Sequence, residues 1–150
     1  MAMKLLISEV LQKVHSAKTK AEKIRLLQDN NSQVLRSLFI WNFDDSVETI
    51  LPEGDVPYKP NDAPIGTEHT RLEVEGRKLY YFIKGGAENV PRMQRENMFI
   101  QMLEGLYKDE AAVLCLVKDK SLHKKYRITK AVVTEAFPSI NWGGRSKDGK

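Results

Sequence analysis

Six cations fall within one short stretch near the carboxyl end of the chain: Lys118, Lys120, Lys124, Lys125, Arg127 and Lys130. His123 lies among them, and Asp119 is the single acid. The stretch carries +5 while the 150-residue chain carries +4, so all the rest sums to −1. Positive charge focused in this way is the footprint expected of a phosphate-binding surface. Thr129 adds to it, because a threonine that caps a helix marks a helix start, where unpaired N–H groups and a partial positive charge favour anions. Thr129 therefore joins the six cations as an expected contact with a nucleic-acid backbone, which such groups track without reading bases. Tyr126 can stack on a base or pack beneath the segment. Solvated lysine loops have the same composition, so charge alone leaves both readings open.

Other chemistries find no support in the spacing. His15, His69 and His123 are far apart and have no Cys, His or carboxylate at metal-ligand spacing. The single cysteine, Cys115, excludes an intramolecular disulfide and a Cys-rich zinc site. It sits among Leu114, Leu116 and Val117, where a thiol behaves as a small hydrophobe. Asp44-Asp45 and the pair Glu53 and Asp55 suit turns and caps better than acid–base work. No phosphate-cradling glycine loop and no nucleophile elbow occurs, and Gly85-Gly86 is too short for a nucleotide fingerprint. The expectation is a protein that is not an enzyme and holds no cofactor and no metal.

The elements that must position the basic stretch are mostly helical. Hydrophobic residues make up 41% and charged residues 29%, enough for one core with a solvated surface. Leu6, Val10 and Val14 recur at helical spacing, widened by Leu5 and Leu11. Thr19 to Glu22 reads as a capping box opening a helix that buries Ala21, Ile24 and Leu27, and Asp29-Asn30-Asn31 breaks it. Val34, Leu35, Leu38, Phe39 and Trp41 face inward from a third helix. A fourth runs over Leu72, Leu79, Phe82 and Ile83, firmest after Gly76 and stopped by Gly85-Gly86, though Arg71–Glu75 briefly alternates like a strand. Pro91 suits the first turn of the next, which buries Phe99, Met102, Leu103 and Leu106. Asp109 is placed to cap another, through Val113, Leu114, Leu116 and Val117. Thr129 opens the last, burying Val132, Val133, Ala136 and Phe137 before Pro138. This predicts a single all-α domain over 1–142 with six or seven helices and a flexible tail over 143–150.

Four prolines, Pro52, Pro57, Pro60 and Pro64, mark 52–68 as a long loop, and Tyr58 between two of them is suited to dock it. No apolar run approaches the ~20 residues of a membrane span. Glu9, Gln12 and Lys13 interrupt the opening apolar stretch, and no small-residue cleavage site follows, so no signal peptide is expected. A soluble cytoplasmic protein without a membrane partner fits this pattern.

The order of segments resembles the all-helical amino-terminal DNA-binding domain of ATP-dependent DNA ligases of the T4-like phage type. ISEVLQKVHSA, the lysine-rich KTKAEKIRLLQDNN and QVLRSLFIW follow that domain's opening helices. AAVLCLVKDKSL, the basic turn and ITKAVVTEAFPSI are similar to its close, with Lys118-Asp119 where the ligases have Arg-Asp and Thr129-Lys130 at the start of the closing helix. The likeness covers about two-thirds of the chain and implies a grip on nicked or intact double-stranded DNA. Two features depart from it: the 52–68 loop has no counterpart, and the turn before Ile128 is longer. Ligase catalysis does not carry over, since Lys147-Asp148-Gly149 lacks the spacer of the adenylated Lys-x-Asp-Gly motif. The LPEGDVPYKPNDAP loop and the TEAFP ending also look like small uncharacterised proteins of T4-like marine cyanophages, which implies a phage source and a host cytoplasm.

The functional expectation is a non-enzymatic DNA-binding phage protein acting in replication, repair or DNA handling. The alternatives are an accessory module that binds a phage or host protein through the 52–68 loop with Tyr58 and Trp142, and a virion-associated structural protein.

Overall fold

The computed structural model of the chain describes residues 5–52, 54, 56–59, 70–84 and 89–143. Among them are eight α-helices: α1 (Ile7–Ser16), α2 (Lys20–Asp29), α3 (Gln33–Phe43), α4 (Leu72–Glu75), α5 (Arg92–Gly105), α6 (Lys108–Lys118), α7 (Leu122–Lys125) and α8 (Lys130–Ala136). A 3-10 segment, Gly76–Phe82, follows directly on α4. Extended pairing among the described residues is confined to isolated bridges, of which Thr49 with Ile83 and Thr70 with Leu106 stand outside any strand. The all-α expectation therefore stands.

The helix number exceeds the six or seven expected, for a physical reason. α7 is a single turn, too short to display a 3.6-residue period, and lies in text read as a loop. The anticipated fourth helix divides at Gly76 into α4 and the 3-10 segment, and of the alternating Arg71–Glu75 stretch all but the N-cap residue Arg71 is in α4. Pro91 stands at the N-cap position of α5, one residue before its first turn. In α6, Tyr107 takes the N-cap position and Asp109 falls inside the first turn. Of the 52–68 loop, residues 52, 54 and 56–59 are described, and the remainder lies outside the described residues. So do His69, the Gly85-Gly86 stop and the 144–150 part of the tail.

Three helices start on hydroxyl caps. Thr19, Ser32 and Thr129 accept from the N–H groups of Glu22, Leu35 and Val132 at 3.1, 3.1 and 3.3 Å. Each such cap stabilises its helix by ~1 kcal/mol. α1 starts differently: the Glu9 carboxylate accepts from the Leu6 N–H at 2.8 Å. Glu110, fully buried in the first turn of α6, serves two helices at once. One of its oxygens accepts from the Ile7 N–H at 2.9 Å and the other from the Leu72 N–H at 2.8 Å. A single carboxylate thus ties the starts of α1 and α4 to α6.

The core is one cluster built from the helical stripes, including Leu11, Leu27, Phe39, Phe99, Leu103, Leu114 and Val133. Burying each such side chain contributes roughly 1.5–3 kcal/mol. Phe82 meets Phe99 edge-on, with ring centroids 5.0 Å apart. α8 lies along α2, and α2 along α1, so the first two helices and the last pack together.

Candidate nucleic-acid interface

The basic stretch begins at the end of α6, where the helix stops in a left-handed turn. The Lys120 N–H donates to the Val117 carbonyl at 2.9 Å, and the Ser121 N–H donates to the Leu116 carbonyl at 2.7 Å. This paired closure puts its middle residue at positive φ, a place usually given to glycine, and Lys120 holds it at +54°. The Lys120 ammonium reaches the carbonyls of Trp41 and Asp44, at 2.5 and 2.8 Å. Both lie at the carboxyl end of α3, where a cation is favoured by the helix dipole. Burial holds the Lys120 ammonium below its ordinary pKa, and the nearby Asp44 and Asp45 pull the other way.

Lys118 turns inward more completely, being only 2% exposed. Its ammonium has three N–H groups and finds three acceptors: the carbonyls of Pro52 and Gly54 at 2.8 and 3.1 Å, and the Asp119 carboxylate at 2.6 Å. It fastens the start of the proline-rich loop to α6. A second chain of bonds runs beside it, from the Trp41 indole to the Thr49 hydroxyl at 2.7 Å and on to the Lys118 carbonyl at 2.8 Å. The loop is held further along as well. Val56 and Tyr58 pack on the core, and the Lys59 N–H donates to Glu104 at 2.9 Å. Burial, followed by the neighbouring Cys115, raises the Tyr58 hydroxyl above its ordinary pKa.

Beyond Ser121 the same sequence texture faces outward. The Leu122 N–H, which opens α7, donates to the Asn42 side chain at 2.9 Å. Leu122, Tyr126 and Ile128 are buried, whereas Lys124, Lys125, Arg127, Thr129 and Lys130 are exposed. The alternation over 126–129 belongs to extended backbone, in which successive side chains point to opposite sides. Tyr126 packs beneath the segment, edge-on to His15, with the Lys125 ammonium 5.5 Å from its ring. Burial, then the charge of Asp109, raises its hydroxyl above the ordinary tyrosine pKa. The Thr129 hydroxyl caps α8 as expected, and Lys130 lies over the Trp142 ring at 5.0 Å.

The structure also brings to this segment a second set of cations from the other end of the chain. The Arg127 N–H donates to His15 Nδ1 at 2.9 Å, and the Lys23 ammonium donates to the Arg127 carbonyl at 2.6 Å. Lys20 pairs with Glu135 of α8 at 2.7 Å. The α1–α2 turn with exposed Lys18, and the start of α2 with exposed Lys20 and half-buried Lys23, therefore lie against the Lys124–Lys130 segment. The signal for it is the lysine recurrence in KTKAEK, but its meaning depends on a contact spanning 104 residues. A hollow of about 420 Å³ opens nearby, between α1, the start of α6 and α7, where Lys13 and Lys125 face Glu9 and Asp109. Balanced charge of this kind does not favour an anion.

Among the described residues no group of three or more His, Cys, Asp or Glu is placed to hold a metal ion. His15 is engaged as an acceptor from Arg127, and His123 lies against the Phe43 ring. No helix of the described residues is long and apolar enough to cross a membrane.

The model of a family of unknown function, DUF6433, matches residues 10–124. The matched stretch takes in Lys18, Lys20, Lys23, Lys118, Lys120 and Lys124, and stops before Lys125, Arg127, Thr129 and Lys130. No curated protein and no solved structure matches the chain.

Proposed function

We propose that this chain, which belongs to the DUF6433 family, is a non-enzymatic protein that grips double-stranded DNA by its sugar–phosphate backbone. Lys124, Lys125, Arg127 and Lys130 would face the phosphates, together with Lys18 from the α1–α2 turn and Lys20 and Lys23 from the start of α2. Lys118 and Lys120 would act beneath them, fixing the turn that presents α7. The observation that carries this reading is the joining of two cationic segments through the Arg127 backbone, bonded to both His15 and Lys23. Two segments side by side can neutralise more than one phosphate, as a backbone-tracking surface must. The ligase-like order of segments supports the same reading and suggests a place in phage replication, repair or DNA handling.

Titration of fluorescent intact and nicked duplexes at several salt concentrations tests it. Binding should weaken steeply with salt, each phosphate contact adding ~0.9 to the slope of log affinity against log salt. Lys124→Glu with Lys125→Glu should lower affinity and flatten that slope while the fold is kept. Unchanged affinity at low salt would remove this surface from the reading, and absence of any duplex binding would retire the reading itself.

A further inference from the structure

A different surface carries aromatic rings and cations in register. The 3-10 segment Gly76–Phe82 reads GRKLYYF, and a 3-10 helix has three residues per turn, so residues three apart lie in line. That sorts the segment into three columns. Gly76, Leu79 and Phe82 form the inner one, with Leu79 and Phe82 buried. Gly76 lies so close to α3 that a Cβ there would come within 2.5 Å of the Val34 methyl groups, so glycine lets the segment lie flat on the helix. The other columns each place a cation one turn before a tyrosine: Arg77 with Tyr80, and Lys78 with Tyr81.

The two rings stack on each other, with centroids 4.3 Å apart and planes 28° from parallel. Tyr80 stays 46% exposed, among the most exposed large apolar-bodied side chains of the described residues. The backbone under the pair is fixed, because buried Arg95 donates to the Tyr81 carbonyl at 2.9 Å and to the Val90 carbonyl at 2.8 Å. Tyr80 and Arg77 border a hollow on either side, of about 330 and 620 Å³. Lys78 is partly balanced by Glu75 at 3.4 Å, whereas Arg77 has no hydrogen bond or ion pair among the described residues.

We propose that this segment is a landing site for an unpaired nucleotide of a single strand, the base stacking on the Tyr80 ring and the adjoining phosphate meeting Arg77. A stacked aromatic platform beside a cation is the arrangement by which single strands are held without sequence preference, since every base has a π-face. An acidic peptide would use the cations but leave the stacked rings without a role. The site uses none of the residues assigned to duplex binding, so either surface can fail alone.

The probes are a short fluorescent oligo-deoxythymidine and an abasic oligomer of equal length and charge, titrated at low salt. The oligo-deoxythymidine should bind more tightly than the abasic oligomer. Tyr80→Ala should weaken its binding roughly 5- to 150-fold, the range seen when a stacking ring is removed. Tyr80→Phe should keep the affinity, and Tyr80→Ala should leave duplex titration curves and the thermal midpoint unchanged. Equal binding of the two oligomers, indifference to Tyr80→Ala, or an equal loss for single strand and duplex would each overturn the assignment.

Discussion

Lys118 and Lys120 belong to the same lysine-rich text as Lys124 and Lys125, yet the two pairs do opposite work. The first pair points into the protein and is bonded to carbonyls of α3 and the proline-rich loop. The second stands on a one-turn helix with its side chains in solvent. Lys120 is itself the left-handed residue that closes α6, and the outward-facing part of the stretch begins beyond it. Sequence charge counts the two pairs alike. A buried ammonium with three acceptors is a structural tie, whereas an exposed one keeps its charge available to a partner.

The largest separation between the halves should appear on removing charge while keeping length. Lys118→Met takes the ammonium from the Pro52 and Gly54 carbonyls and from Asp119 Oδ1, at a cost of about 3 kcal/mol. Urea denaturation checks this, and a cost below about 1 kcal/mol would show that water replaces the ammonium. Lys120 separates two effects. Lys120→Ala should cost about 2 kcal/mol through the lost bonds to Trp41 and Asp44. Lys120→Gly should cost about 1 kcal/mol less, because glycine is at ease at positive φ and alanine is not. Equal costs for the two would mean that the turn relaxes when the lysine goes.

Tyr126, the inward residue of the outward half, makes a smaller and pH-dependent contribution. Its hydroxyl pKa is raised by folding, so in alkali the unfolded chain loses the phenolic proton first. The stability tied to that proton is complete below about pH 10 and is lost as pH rises through the folded value. Urea midpoints compared at about pH 9 and about pH 11 should therefore fall less for Tyr126→Phe than for the parent. A parallel fall would place the alkaline sensitivity elsewhere. Lys124→Met should give the least effect on stability, within about 0.5 kcal/mol, while lowering the salt slope of duplex binding by about 0.9. A large destabilisation there would erase the contrast with Lys118.

Much of the scaffold is legible in the sequence because its cues are local. Thr19, Thr129 and the Asp29-Asn30-Asn31 break mark helix ends within a few residues, and the apolar stripes match the buried sets of α1, α3 and α6. The 3-10 segment is different. Its period of three approximates 3.6 closely enough over seven residues to pass for an α-helix, which hides the column that pairs Arg77 with Tyr80. α7 is too short to have a period at all. For the candidate surface, the cations are legible and their orientation is not. Two of the three acceptors of the Lys118 ammonium come from 64 and 66 residues away, and the partner that extends the outward half lies more than a hundred residues upstream.

The carboxylate of Glu110 has a consequence in time. Its partners are 38 and 103 residues away, so its two bonds close together only after α1 and α4 have both been brought to α6. Contacts of such long sequence separation form late, after the loop-closure entropy has been overcome. The bonds that join the starts of α1 and α4 should accordingly be absent from the transition state for folding, and weakening them should speed unfolding while refolding keeps its rate. Glu110 then acts as a latch, setting how long the folded chain stays closed without deciding how it gets there.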